Sequence, residues 1–185
     1  VIRMNLILLG GNSAINKQWL KDLAAALKPH FPAVLIHHYR HWETREELID
    51  LDYELDILSK IVQSQDPYTV IAKSAGVLLT LKGVAEKILN PQKCVFVGFH
   101  IPWAKANHFA VDSWLKNYSV LTLFIQQSHD PTMSYQDLQP YLEEANPTNY
   151  QIVEMPGDDH VYGDLEQLKD NIVSFLDGDI TRNSH

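Results

Sequence analysis

Three side chains that lie far apart in this 185-residue sequence could together carry out acyl transfer. Ser74 lies in TVIAKSAGVLLT (69–80), where an apolar, β-branched run meets an apolar run with helical character. Asp130 follows a later strand-like run in SHDP, and His160 ends PGDDH, shortly before the last helical pattern. A serine hydroxyl becomes a nucleophile when a histidine takes its proton and a carboxylate holds the other nitrogen of that histidine. The sequence therefore predicts a Ser-His-Asp catalytic triad.

Two of these assignments have competing interpretations. A hydroxyl side chain just before a helix is often its N-cap, so the stretch around Ser74, taken alone, favours neither role. Asp158 and Asp159 stand beside the histidine and compete with Asp130 for the role of the acid. We favour Asp130, because a side chain from a separate loop can reach the distal imidazole nitrogen, whereas a sequence neighbour usually cannot.

Other polar residues near the ends of the predicted strands receive no catalytic role. Lys73 is predicted to face solvent, and His129 is predicted to be a loop residue. His37, His38 and His41 suggest a metal site, but their spacing suits a helix only in part, and no cysteine or well-placed carboxylate completes a ligand set. We therefore predict no bound metal.

The elements that must position the triad alternate between strand and helix. Apolar strand-like runs are separated by helical patterns, and the runs are MNLILLG, AVLIHHY, YTVIAK, CVFVGF, SVLTLFIQQ and TNYQIVEMP. Nearly continuous apolar strands separated by helices are typical of a parallel sheet covered on both faces. The sequence predicts one α/β domain over residues 1–185, a three-layer α/β/α sandwich around six strands. Functional groups should then lie in the loops at the carboxyl ends of the strands.

Capping patterns predict where two helices begin. Thr44 and Glu47 form a capping-box pair, which predicts a long helix from about Arg45. Asp164 is the predicted cap of the last helix, which should end just before Gly178.

Four loops resemble those of α/β-hydrolases. A-K-S-A-G is similar to the nucleophile elbow of that family, small-x-Ser-x-Gly, with Ala72 where glycine is usual. S-H-D-P resembles the acid loop and P-G-D-D-H the histidine loop. L-L-G-G-N-S stands where relatives usually show His-Gly, with Gly10 in place of the histidine. The resemblance covers nearly the whole chain and is closest to compact, lidless serine hydrolases of the retinoblastoma-binding-protein type.

This resemblance implies a strand order of 2-1-3-4-5-6 and an oxyanion hole. The hole would use the backbone N–H groups of Asn12 and Ala75, so the absent histidine side chain need not impair it. Gly11, Trp42, Phe99 and Trp103 lie on the predicted carboxyl-end loops and are candidate walls of the substrate pocket. Core packing is the competing explanation for the three aromatic residues.

Composition narrows the range of partners. The net charge of −8 and the absence of a basic run argue against a nucleic-acid partner. A single cysteine, Cys94, allows neither an internal disulfide nor a cysteine zinc cluster, and it is predicted to be buried at the start of a strand. No apolar run approaches the roughly 18 residues of a membrane span. The apolar start is expected to be a buried strand rather than a signal peptide, and we expect a cytoplasmic protein.

The predicted function is that of a serine hydrolase without a cofactor, cleaving an ester, thioester or amide. The segment after the fourth strand is too short for a substantial lid, which favours a small-molecule substrate with a small or exposed acyl group. A non-catalytic binding or scaffold protein with the same fold is the alternative. A flavodoxin-like nucleotide binder shares the alternating pattern, but the sequence lacks the G-x-G-x-x-G and P-loop motifs.

Overall fold

Helices and strands alternate along the chain in the computed structural model, which describes residues 4–178. The strands are β1 (Asn5–Leu9), β2 (Ala33–Ile36), β3 (Tyr68–Lys73), β4 (Lys93–Val97), β5 (Leu121–Gln127) and β6 (Tyr150–Met155). The helices are α1 (Asn16–Leu27), α2 (His41–Thr44), α3 (Leu51–Val62), α4 (Ala75–Ala85), α5 (Ile101–Ala106), α6 (Val111–Lys116), α7 (Tyr135–Ala145) and α8 (Leu165–Asp177).

The six strands form one parallel sheet in the order β2-β1-β3-β4-β5-β6, which confirms the predicted order. Each strand pairs in parallel with its neighbours, for example Asn5 of β1 opposite Tyr68 of β3. Every residue of β3 and β4 is buried. Strands buried on both faces need continuous apolar runs, which explains why these sequences do not alternate.

Helices cover both faces of the sheet and complete the predicted three layers. Helix α1 packs against α8, while α4 packs against α3 and α6 in a second group of helices. Almost every side chain of α4 is buried, as expected for a helix that is apolar on all sides. Because α4 is held by neighbours on several sides, it provides a rigid base for the turn that precedes it.

One helix boundary differs from the prediction, and one agrees with it. Thr44 ends the short helix α2, and α3 begins only at Leu51, where Asp50 accepts a hydrogen bond from the Tyr53 N–H at 3.0 Å. The capping box at Thr44 and Glu47 was therefore the wrong start, because Asp50 supplies the cap directly before Leu51, the first buried residue of α3. Asp164 caps α8 as predicted, accepting from the Gln167 N–H at 3.1 Å.

Two further observations concern the residues that the structure describes. None of their helices has the length and apolar character needed to cross a membrane. Cys94 is buried in β4, as predicted, and burial raises the pKa of its thiol to about 12. This thiol is therefore protonated at neutral pH and chemically unreactive.

Candidate active site

The strand order places the loops after β1 and β3 side by side at one crevice. The chain leaves β1 toward β2 on one side and continues through β3 on the other, so the carboxyl ends of β1 and β3 form the topological switch point of the sheet. The Gly76 N–H donates to the Gly10 carbonyl at 3.1 Å and ties the two loops together. A Cβ atom at Gly76 would lie 2.8 Å from Leu9 Cβ, so the close approach requires glycine at this position.

Ser74 occupies a strained turn at this crevice. Its φ is 50° and its ψ is −112°, outside the conformations that L-residues prefer. A strained serine between a strand and a helix is the geometry of a nucleophile elbow. Its side chain makes no capping hydrogen bond to α4. The N-cap interpretation is therefore not what the structure shows.

A chain of hydrogen bonds joins Ser74 to His160 and Asp130. The Ser74 Oγ lies 3.2 Å from His160 Nε2, and His160 Nδ1 lies 2.8 Å from Asp130 Oδ2. The carboxylate can only accept, so Nδ1 carries a proton and Nε2 is free to accept the serine proton. The loops after β3, β5 and β6 thus bring the three predicted residues within hydrogen-bonding reach.

Asp130 is buried and held by several donors. Thr132 donates to Asp130 Oδ1 from its backbone N–H at 2.9 Å and from its hydroxyl at 2.7 Å. The Tyr162 hydroxyl donates to Oδ2 at 2.8 Å. Burial by itself would raise the pKa of Asp130, but the hydrogen bonds from His160 and Thr132 outweigh it and lower the pKa to about 2. The carboxylate is therefore charged at any pH at which the protein is expected to work.

Asp159 accepts hydrogen bonds within its own loop, whereas Asp130 accepts one from His160. Its Oδ1 accepts from the Val161 N–H at 2.9 Å and from the Tyr162 N–H at 3.3 Å. The Gln127 side chain also donates to this oxygen, at 3.2 Å. Asp159 shapes the turn that carries the histidine, which agrees with its interpretation as a loop residue. Thr132, Tyr162 and Gln127 were not identified from the sequence, where nothing marks them.

The loop after β1 is held by hydrogen bonds to Asn12. The Asn12 carbonyl accepts from Trp42 Nε1 at 2.9 Å and lies 2.6 Å from His41 Nε2. Its side-chain amide accepts from the Ile49 N–H and donates to the Glu47 carbonyl, both at 2.8 Å. Fixing both the carbonyl and the side chain of one residue leaves its backbone little freedom.

Two backbone donors remain available beside Ser74. Within residues 4–178, neither the Asn12 N–H nor the Ala75 N–H donates to a protein acceptor. Ala75 is the first residue of α4, and the first N–H groups of a helix have no partner within the helix. Both donors stand at the end of the sheet where the serine lies.

A cleft of about 380 Å³ opens at Ser74. It is lined by Gly11, Asn12, Ser13, Ile15, Asn16, Trp19, Lys73, Ser74, His100, Trp103, His160 and Val161. A larger surface depression of about 530 Å³, beside Tyr141 and Lys116, contains none of the triad residues.

Two of the four predicted wall residues line this cleft. Gly11 and Trp103 do so, but Trp42 and Phe99 lie in the core and correct that expectation. Trp42 stands behind the Asn12 loop as a hydrogen-bond donor, and Phe99 stacks on Phe124 with ring centroids 6.1 Å apart. Core packing, the competing explanation, is what the structure shows for these two.

Lys73 corrects another expectation, because its side chain is only 5% exposed. It extends along α1, where its Nζ donates to Asn16 Oδ1 at 3.2 Å and lies 4.8 Å from the centre of the Trp19 ring. Burial lowers the pKa of Lys73 to about 8, against the opposing effect of Asp130 and Asp159. The ammonium form therefore predominates at neutral pH.

Two of the three histidines after β2, His37 and His41, have structural roles, whereas His38 is exposed. His37 Nε2 lies 2.6 Å from Glu54 Oε2 in a buried pair, and His41 supports Asn12. Among residues 4–178, no group of three or more His, Cys, Asp or Glu side chains is arranged to hold a metal ion. His100, which lines the cleft, has its pKa lowered by burial and then by the nearby His160.

Solved structures of similar shape cover almost the whole chain, although neither a protein-family model nor a curated protein sequence matches it. Est1E from Butyrivibrio proteoclasticus, with ferulic acid bound, is 13% identical, with a TM-score of 0.76 and coverage of 97% of this chain and 90% of that one. The RedJ thioesterase of prodiginine biosynthesis in Streptomyces coelicolor is 10% identical, with a TM-score of 0.67 and coverage of 93% and 90%.

A third similar structure is a Xanthomonas campestris protein assigned to the alpha/beta superfamily of hydrolases. It is 14% identical, with a TM-score of 0.62 and coverage of 95% of this chain and 99% of that one. At such low identity the likeness establishes the fold alone. From its strand order, its strained serine turn and these similar structures, the chain has the α/β-hydrolase fold.

Proposed function

We propose that this protein is a serine hydrolase that cleaves an ester, thioester or amide of a small or exposed acyl group. The observation that carries the proposal is the unbroken chain of hydrogen bonds from Asp130 through His160 to Ser74, with the serine on a positive-φ turn. The thioesterase and hydrolase descriptions of the similar structures support the same chemistry.

In the acylation step, Ser74 Oγ attacks the substrate carbonyl carbon. The Ser74 O–H bond breaks as the new C–O bond forms, and the proton moves to His160 Nε2. Asp130 accepts the hydrogen bond from Nδ1–H and stabilises the imidazolium that forms. His160 then gives the proton to the leaving group, whose bond to the carbonyl carbon breaks. A water molecule, deprotonated by the same histidine, releases the acid and restores Ser74.

The negative charge that develops on the carbonyl oxygen is stabilised by hydrogen-bond donors that already point toward that oxygen before the reaction. The Asn12 and Ala75 N–H groups fit this need, since Ala75 directly follows Ser74, Asn12 lines the same cleft, and neither N–H is engaged elsewhere among the described residues. Loss of one such donor typically lowers the rate by about 10²–10³-fold. The hydrogen bonds that hold Asn12 thus matter to the reaction although they touch no substrate.

The cleft limits the substrates that fit. Helices α5 and α6 are the only helices between β4 and β5, and Trp103 of α5 borders the cleft. At about 380 Å³ the cleft is near the lower end of the size of small-molecule sites. Short acyl groups can be accommodated within it, whereas a long lipid chain would extend into solvent.

The proposal is tested by labelling the folded protein with a fluorophosphonate probe, which reacts covalently with activated serines. Wild-type protein is expected to give one adduct, mapped to Ser74 by mass spectrometry, and heat-unfolded protein none. A folded wild-type protein that gives no Ser74 adduct would favour the non-catalytic scaffold and reject the hydrolase.

Replacing Trp42 by phenylalanine is expected to lower kcat about 10-fold while KM stays within about twofold. The substitution keeps an aromatic ring at this position but removes the Nε1–H donor to the Asn12 carbonyl. Displacing an oxyanion donor should cost less than losing it, and the loss affects the transition state more than the bound substrate. Steady-state kinetics with 4-nitrophenyl acetate provide the measurement.

Trp114→Phe is the matched control, because Trp114 lies on α6 against Phe109 and away from the triad. Equal losses in the two variants, or a rise in KM with unchanged kcat for Trp42→Phe, would contradict the assigned role of the Asn12 loop.

A further inference from the structure

The cleft beside Ser74 differs in charge from the rest of the molecule. The protein carries 23 acidic residues and a net charge of −8. None of the residues that line the cleft is an aspartate or glutamate, and one of them is Lys73. Burial lowers the pKa of His100, which disfavours its charged form. Lys73 is the one lysine or arginine of this lining, and its pKa of about 8 leaves it mostly charged at neutral pH.

Lys73 has few partners for a buried cation. Its Nζ has three N–H bonds, one of which is directed at Asn16 Oδ1. Among the described residues, the Trp19 ring is the aromatic group that this ammonium contacts, at 4.8 Å from the ring centre. Across residues 4–178, no carboxylate oxygen lies within 4.0 Å of this nitrogen. Buried lysines are normally paired with an anion, because an unpaired buried charge is costly.

The two carboxylates that act electrostatically on Lys73 are already engaged in other hydrogen bonds. Asp130 accepts hydrogen bonds from His160, Thr132 and Tyr162. Asp159 accepts from the backbone of the histidine loop and from Gln127. Both act on Lys73 only over a longer range, so neither takes its remaining hydrogen-bond donors.

The surroundings of Lys73 hold it at the cleft. Asn16, its acceptor, is itself fixed by donating to the Ser13 carbonyl at 2.8 Å. Apolar side chains stand on the rim, where Ile15 is 77% exposed and Val161 is 54% exposed. A buried ammonium group beneath an apolar rim suits a ligand that has both an apolar part and an anionic group.

We propose that Lys73 binds a carboxylate of the substrate, so that the site acts on esters or thioesters whose acyl or leaving group carries a second, ionised carboxyl group. A carboxylate fits better than a phosphate, since a phosphate dianion usually gathers several charged or backbone donors. The inference rests on the proposed function, because it names the substrate class of the same Ser74 site.

The test uses two pairs of substrates that differ only in one charge. Mono-4-nitrophenyl adipate and its methyl ester place the charge on the acyl side, and 4-acetoxybenzoate and its methyl ester place it on the leaving group. In the wild-type protein, kcat/KM is expected to favour the acid over its methyl ester by about 10–100-fold in at least one pair, the range of a charge-assisted hydrogen bond.

Lys73→Met is expected to remove this preference, because kcat/KM for the acid should fall about 10–100-fold more than kcat/KM for its methyl ester. Lys73→Arg should retain part of the preference, because arginine keeps the positive charge. A merely structural role of Lys73 would give no such rescue.

The ratio of kcat/KM for acid and methyl ester in the wild-type protein tests the inference even if a variant fails to fold. No preference for either acid, or an equal loss for acid and ester in Lys73→Met, overturns the inference. Turnover of the methyl esters without acid preference leaves the proposed function intact, whereas no Ser74-dependent turnover of any substrate rejects both.

Discussion

Ser74→Ala is expected to lower kcat for 4-nitrophenyl acetate by at least about 10⁴-fold. The substitution removes the atom that attacks the carbonyl, so only the oxyanion donors and substrate binding still accelerate hydrolysis. Labelling by the fluorophosphonate probe should disappear with it. Pre-steady-state kinetics with excess substrate provide the measurement, because a burst of nitrophenolate equal to the enzyme concentration reports the acyl-enzyme.

The same substitution should leave the fold nearly unchanged. Ser74 does not cap α4, and within residues 4–178 its hydroxyl bonds only to His160, so the free energy of unfolding should change by no more than about 1 kcal/mol. Ser59→Ala on the outer surface of α3 is the control for loss of a serine hydroxyl. Activity retained by Ser74→Ala within about 10-fold would show that another group is the nucleophile.

His160→Gln is expected to reduce kcat by at least about 10⁴-fold as well. Glutamine can fill much of the space but cannot take the serine proton and return it to the leaving group. The rate of fluorophosphonate labelling should fall in parallel, since the probe also needs an activated hydroxyl. The measurement compares kcat and the labelling rate constant between variant and wild type.

His129→Gln is the matched control for this prediction. His129 is exposed, lies next to Asp130 in sequence and contacts Gly157 only through its backbone N–H. We expect its kcat to stay within about twofold of the wild-type value. A larger loss in His129→Gln than in His160→Gln would exchange the roles of the two histidines and contradict the geometry of the site.

The sequence allowed the fold and the triad residues to be predicted for related reasons. Apolar strands alternating with helices constrain the chain to a covered parallel sheet, and such a sheet collects loop residues at one edge. Ser74, Asp130 and His160 each follow a strand in the chain order of the α/β-hydrolase triad, and this order together with the resemblance of their loops indicated which side chains the structure brings together. Local features such as the Asp164 cap could also be read directly, since the cap and its partner are only three residues apart.

The surroundings of individual side chains were harder to predict, because they depend on the direction in which each side chain points. Lys73 was expected in solvent because lysines usually are, yet the last residue of a buried central strand must point into the protein or along a helix. Trp42 and Phe99 follow strands as Trp103 does, but α2 and the packing of Phe99 on Phe124 turn them away from the cleft. Sequence position showed which loop they occupy and not which way they face.

By itself the sequence determined the α/β architecture, the strand order implied by its resemblance and the three residues of the candidate triad. The architecture follows from periodicity, whereas the strand order and the choice of triad residues also depend on the resemblance of the loops to those of α/β-hydrolases. Only the tertiary structure decided that Ser74 bonds to His160 rather than capping α4, that Thr132 and Tyr162 hold Asp130, and that Lys73 is buried at the cleft. Each of these contacts depends on which way a side chain points or on how distant segments of the chain meet. Neither can be read from the sequence, because packing in three dimensions selects one arrangement among several.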